Sequence, residues 1–165
     1  MNEMPIENSN LKKMYNIGIN QPLYVYQVPM FMITVSTVLV VENGVILVEG
    51  EDGYRFPTTM VKAGKETIPF AAIRSVKNEV NIVLKRDSLI PVDFRSSPER
   101  SVEGNIVDIG LVCTLEIKDI QEDYNGKWVE VDFENKCLIN SSIGLSMDYG
   151  LLLGRAIDIA CLIKE

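Results

Sequence analysis

In the stretch GKETIPFAAIRSVKNEVNI, residues 64–82, Ser75, Asn78 and Glu79 follow the i, i+3, i+4 spacing. That spacing puts three side chains on one face of a helix. Three oxygen-bearing groups on one face are the beginnings of a site for a hard cation such as Mg²⁺, which wants anionic oxygens in an octahedron and gives up water reluctantly. Here the face offers a hydroxyl, an amide and a single carboxylate. Such a set would hold Mg²⁺ weakly on its own. Two more charged groups lie close in sequence, Arg74 immediately before the face and Glu66 in the approach to it.

The segment must be helical for these groups to converge. Thr67 is placed to cap it, Pro69 fits the first turn, and Asn81 suits a left-handed end. Ala72, Val76 and Val80, with Ile73 beside them, give the core-facing stripe. Upstream, MFMITVSTVLVV (Met30–Val41) is rich in β-branched residues and is expected to be a strand. It turns at Glu-Asn-Gly, where Asn-Gly tolerates positive φ, into a second strand, VILVEG. EDGYRFP is expected as a loop ending in an extended Phe-Pro step. Downstream, SLIPVDF and IVDIGLVCTLEI are expected strands, and WVEVDF is a short strand or the lead-in to a helix. RSSPERSVEGN and KDIQEDYNGK are expected loops, and SMDYGLLLGRAIDIACLIKE an amphipathic C-terminal helix. Residues 1–29 form an expected arm whose Leu23–Val28 stretch adds an edge strand or a dimer contact. The remainder, 30–165, makes one domain. The order predicts an α/β/α sandwich with a mixed β-sheet.

Composition narrows the chemistry. The 165 residues are 47% hydrophobic and 24% charged, enough for a substantial single core. With 16 basic and 23 acidic residues the formal net charge is -7, which argues against a nucleic-acid binder needing a basic face. There is no histidine, so triads and imidazole bases are excluded. Cys113, Cys137 and Cys161 are scattered, fitting free thiols in a reducing compartment rather than structural zinc. No signal-like N-terminus is read, and the longest apolar run, VPMFMITVSTVLVV, is too short for a span. A soluble cytoplasmic protein with no membrane partner is expected.

These residues and their order resemble the Nudix family, whose box reads GX5EX7REUXEEXGU with U aliphatic. Aligned on Arg74, the chain keeps Glu66, Arg74, Val76, Glu79 and Ile82. It carries Met60, Ser75, Asn78 and Asn81 where the box has Gly, Glu, Glu and Gly. YRFPTTMVKAGKE looks like the family's FPGG…GE approach, with Thr58-Thr59 in place of two glycines. FRSSPERSVEGNIVDIGLVC resembles the loop and strand of ADP-ribose-type members. KWVEVD with SMDYGLLLGRAIDIA resembles their closing segment, with Tyr149 where His is usual. The resemblance covers roughly residues 30–165.

It implies a Nudix-type fold acting on or binding a nucleoside diphosphate linked to another moiety, ADP-ribose being the first ligand to try. It implies Mg²⁺ or Mn²⁺, held weakly or not at all, with Glu79 the main metal ligand helped by Glu66, or by Glu99 or Glu103 in the loop. Arg74 would orient Glu79, the two forming the catalytic pair, or else a buried ion pair that only holds the fold. For the ligand itself, Lys62, Lys65, Arg95 and Arg100 are candidates to meet phosphate oxygens, with a solvated surface the plain alternative for each. Tyr54 and Phe56 are candidates to stack on a base or ribose, or are buried. Trp128 is expected in the core or an interface, and Cys113 as inert packing. The second reading is a noncatalytic Nudix-fold module that binds a nucleotide-like ligand or a protein. LYVYQVPMFMI is the candidate segment for a homodimer.

Overall fold

The computed structural model describes residues 32–51, 53–96, 106–140, 143–145 and 149–164. The arm over 1–29, the dimer segment up to residue 31, Arg100, Glu99 and Glu103 lie outside the described residues, while the segment's last two residues, Met32 and Ile33, open the first strand. Phe31–Glu165 forms one compact unit. In chain order the elements are β1 (Met32–Val41), β2 (Gly44–Gly50), β3 (Gly53–Arg55), β4 (Thr58–Met60), α1 (Ile68–Val80), β5 (Ile90–Ser96), β6 (Ile106–Leu115), β7 (Lys127–Asp132), β8 (Cys137–Leu138) and α2 (Tyr149–Lys164).

The sheet runs β5-β6-β1-β2-β7-β8, with β3 joined to β2 and β4 to β1. Its centre is a parallel pair, β1 beside β6 from Met32↔Ile106 to Val41↔Leu115, while the other pairings are antiparallel. This is the mixed sheet expected from the element order. The opposite edge of β1 is shared: Leu39–Val41 bond to β2 and Thr34–Ser36 bond to β4. Between those two partners Thr37 donates its amide to the Pro57 carbonyl at 2.9 Å.

Period-two alternation divides the core between two helices. Val38, Val40 and Val112 point to one face, where they pack with Leu152, Leu153, Ala156, Ile157 and Ala160 of α2. Leu39, Val41, Cys113 and Leu115 point to the other, against Val76 and Val80 of α1. Fully burying each such aliphatic side chain contributes about 1.5–3 kcal/mol before entropy is charged against it. Close approach of α2 depends on Gly110, since a Cβ there would stand 2.4 Å from Leu152 Cδ1.

Several expectations shift. The β1–β2 turn consists of Glu42 and Asn43, with Glu42 at φ 52, so Gly44 is already strand. Gly44 serves Trp128 instead: the indole lies where a Cβ would be, within 2.5 Å, and its Nε1 donates to the Val41 carbonyl at 3.3 Å. Trp128 is therefore neither deep core nor free surface. EDGYRFP, expected as loop, contributes β3, because Val48↔Arg55 and Glu49↔Tyr54 pair across it. The helix begins after Thr67, as its spacing predicts, though the Thr67 side chain makes no capping hydrogen bond. Asn81 closes it in the left-handed conformation at φ 58.

Candidate functional site

α1 crosses the sheet beside β4, and that crossing positions the charged residues. Glu79 is held from three sides. Its Oε1 accepts from the Thr58 amide at 3.0 Å and from the Ser75 hydroxyl at 2.7 Å. Its Oε2 stands 2.6 Å from Arg55 Nη2, an ion pair without hydrogen-bond alignment. Ser75, one helical turn before Glu79, is buried and serves as a donor to it. Asn78 faces solvent.

Arg74 is committed elsewhere. Its Nε and Nη2 grip both oxygens of Glu66 at 3.0 and 2.6 Å, the bidentate fork that suits guanidinium to carboxylate. Nη1 donates to Thr59 Oγ1 at 3.2 Å and Nη2 to the Met60 carbonyl at 3.0 Å. The expectation that Arg74 orients Glu79 is corrected: Arg74 orients Glu66, and Arg55 meets Glu79. Glu66 also accepts the Lys62 amide at 2.9 Å, which ties down the loop before α1. The hydrogen bonds from Arg74, then that from Lys62, hold the Glu66 carboxyl well below its usual range, at about 2. Its partner Arg74 is raised in turn by Glu66.

Thr58 and Thr59 are structural participants. Thr59 supports Arg74. Thr58 Oγ1 donates to the Phe56 carbonyl at 2.8 Å and also bonds Ser36 Oγ at 3.0 Å and Tyr149 Oη at 3.1 Å. Beyond them lies a buried charge pair that sequence reasoning missed. Asp108 of β6 is fully buried and accepts from Thr34 at 2.7 Å, from Ser36 at 3.0 Å and from Arg95. A lone acid in the apolar run IVDIGLVC was the available signal, because a buried carboxylate needs a counter-charge.

Arg95 was expected to meet a ligand phosphate or else to face solvent; it is 6% exposed, paired to Asp108, with its guanidinium 5.2 Å from the centre of the Tyr149 ring. Strand alternation explains this, since Asp93 and Arg95 point toward α2 while Phe94 points away and is exposed. Tyr149 in turn packs edge-on against the buried Phe56, 5.7 Å between centroids. Tyr54 is half-buried, with the Lys127 ammonium 4.6 Å from its ring centre and 3.1 Å from its hydroxyl. Lys62 and Lys65 are exposed on the loop. Burial pushes the Cys113 thiol up, consistent with packing.

Do these groups fit a divalent cation? Both Glu66 oxygens face Arg74, and one also takes the Lys62 amide. Both Glu79 oxygens face protein donors as well. Among the described residues no three His, Cys, Asp or Glu side chains group closely enough to hold a metal. Mg²⁺ requires several oxygens free to approach to about 2.0–2.1 Å. The set as folded does not fit it. A shallow depression lined by Glu42, Thr114, Leu115, Glu116, Ile117 and Lys118 lies at the opposite end of β1 and involves none of the candidate residues.

No protein-family model matches the chain, and no curated protein matches its sequence. Solved structures do. A MutT/nudix family protein from Enterococcus faecalis superposes with TM-score 0.66 at 17% identity, over 86% of this chain and 65% of that one. The chain has the Nudix fold. The NUDIX domain of Shewanella oneidensis NrtR, crystallised with ADP ribose, matches at TM-score 0.62 and 15% identity over 79% of this chain and 89% of that one. A bifunctional NMN adenylyltransferase/ADP ribose pyrophosphatase from Francisella tularensis, complexed with AMP and a Mn ion, matches at TM-score 0.50 and 19% identity. That match covers 84% of this chain and 43% of the other. The chain thus spans just under two thirds of the Enterococcus protein and under half of the Francisella one. In this fold, Glu66 pairs with Arg74 and Glu79 with Arg55. No helix among the described residues is long and apolar enough to cross a membrane.

Proposed function

We propose that this Nudix-fold chain binds a nucleotide-derived ligand, a nucleoside diphosphate linked to a second group, without efficient metal-dependent cleavage. The observation that carries this reading is the pairing of Glu79 with Arg55, Ser75 and the Thr58 amide. Cleavage of a pyrophosphate draws much of its barrier reduction from metal ions and an activated water. With one carboxylate on the helical face, already neutralised, little remains to assemble them. Support for the ligand class comes from neighbours of the same fold crystallised with ADP ribose and with AMP. In this reading Lys62 and Lys65, exposed on the loop before α1, would meet phosphate oxygens. Tyr54, half-buried beside Lys127, would lie against the ribose or base in this reading.

The test is direct. Wild type and Glu79→Gln are incubated with ADP-ribose and other nucleoside diphosphate compounds, with Mg²⁺ or Mn²⁺ and with EDTA. Saturable binding indifferent to EDTA, with no product, is the expected result. Turnover that requires the metal and disappears in Glu79→Gln would establish a hydrolase instead.

A further inference from the structure

We propose that Arg55 is the resident cation of this site, a built-in guanidinium that holds the place on Glu79 a divalent ion would need. The inference deepens the proposed function by naming what keeps metal out of that site, and it rests on that reading for the site's role.

Strand geometry delivers Arg55 to Glu79. In β3 successive side chains point to opposite faces, so Tyr54 joins the α2-side core while Arg55 turns toward α1. Two features fix it there. Nη1 donates to the Phe56 carbonyl at 3.2 Å, and the side chain runs over Gly50, with Cδ and Nε each 3.5 Å from where a Gly50 Cβ would stand. Arg55 thus lies against the β2 backbone at Gly50. Nη2 then reaches Glu79 Oε2 at 2.6 Å. The two side chains are only 30% and 19% exposed, so solvent and salt screen the pair less than an open surface pair.

Among the described residues the charges of this cluster pair off. Glu66 is matched by Arg74 and Glu79 by Arg55, two carboxylates against two guanidiniums. Adding a divalent ion would leave the cluster positive, and the ion would have to share Glu79 with a like charge. Ser75 completes the arrangement: it supplies a proton donor to Glu79 where a second carboxylate would supply surplus negative charge. Arginine suits the role because it stays protonated at any ordinary pH.

The experiment uses Mn²⁺ alone, with no nucleotide, so its failure is separable from failure of ligand binding. Free Mn²⁺ is followed by electron paramagnetic resonance during titration of the wild type, Arg55→Gln, Arg55→Lys and the double variant Arg55→Gln/Glu79→Gln. Arg55→Gln should gain at least about tenfold in Mn²⁺ affinity over the wild type, about 1.4 kcal/mol. Arg55→Lys, which keeps a cation, should gain little, and the double variant should lose the gain. Mn²⁺ should raise the melting temperature of Arg55→Gln and leave the others unmoved. Equal affinity with and without Arg55, or a gain that survives removal of the Glu79 charge, overturns the proposal. Should Arg55→Gln fold poorly, the wild-type titration decides alone: micromolar Mn²⁺ binding with Arg55 in place overturns it, and binding no tighter than millimolar upholds it.

Discussion

Glu79→Gln separates a neutralised carboxylate from a metal ligand in waiting. In a site built to hold cations, clustered like charges strain the metal-free protein, and neutralising one of them stabilises it. Here the carboxylate is ion-paired to Arg55 and accepts two hydrogen bonds on its other oxygen, so neutralising it costs stability. The amide keeps an acceptor for the Thr58 N–H and the Ser75 hydroxyl, and forfeits the charge facing Arg55. Hydrogen bonds to charged groups contribute about 1.5–3 kcal/mol, against about 0.5–1.5 kcal/mol for neutral pairs. Discounted for the 30% and 19% exposure of the two side chains, the net loss is about 1–2 kcal/mol. Urea unfolding in EDTA, read by circular dichroism, should show a midpoint lower by about 0.5–1 M for an m-value of roughly 2 kcal/mol/M. A midpoint unchanged or raised in Glu79→Gln would refute the reasoning, because Glu79 would then be a repelled charge rather than a paired one.

Asp108→Asn should cost about 3–5 kcal/mol, since it removes the buried charge facing the Arg95 guanidinium; equilibrium unfolding measures this, and a loss below about 1 kcal/mol would contradict a buried ion pair. Glu66→Gln should show a pH signature. The folded carboxyl lies at about 2 against an ordinary 4.5, so Glu66 contributes stability above about pH 4.5 that is lost as pH falls toward 2. The stability gap between wild type and Glu66→Gln should be flat at neutral pH and close on acidification; a gap independent of pH would contradict the Arg74 pairing.

The fold was legible where one kind of signal dominated. The helix over Ile68–Val80 follows from its aliphatic stripe and its Asn81 end, and β1, β5 and β6 from β-branched runs. Short elements were not. The three residues of β3 and the two of β8 are strands only because a neighbouring strand supplies their hydrogen bonds, which no local pattern encodes. The candidate site split in the same way. Glu79 was singled out by helical spacing and Glu66 and Arg74 by their resemblance to the Nudix box, yet the partner of Glu79 was misassigned, because neither says what approaches the helix from the sheet. Arg55 comes from outside the helix and was passed over inside a presumed loop. Arg95 was read as surface because polar sequence surrounds it, although strand alternation turns it inward to Asp108.

The central claim is that this site works with protein charges in place of metal. Isothermal titration of the wild-type protein with ADP-ribose, once in EDTA and once in excess Mg²⁺, tests it most directly. The account predicts one saturable binding curve with the same affinity in both buffers and intact ligand recovered afterwards. Binding seen only with Mg²⁺, or release of AMP during the titration, would contradict it.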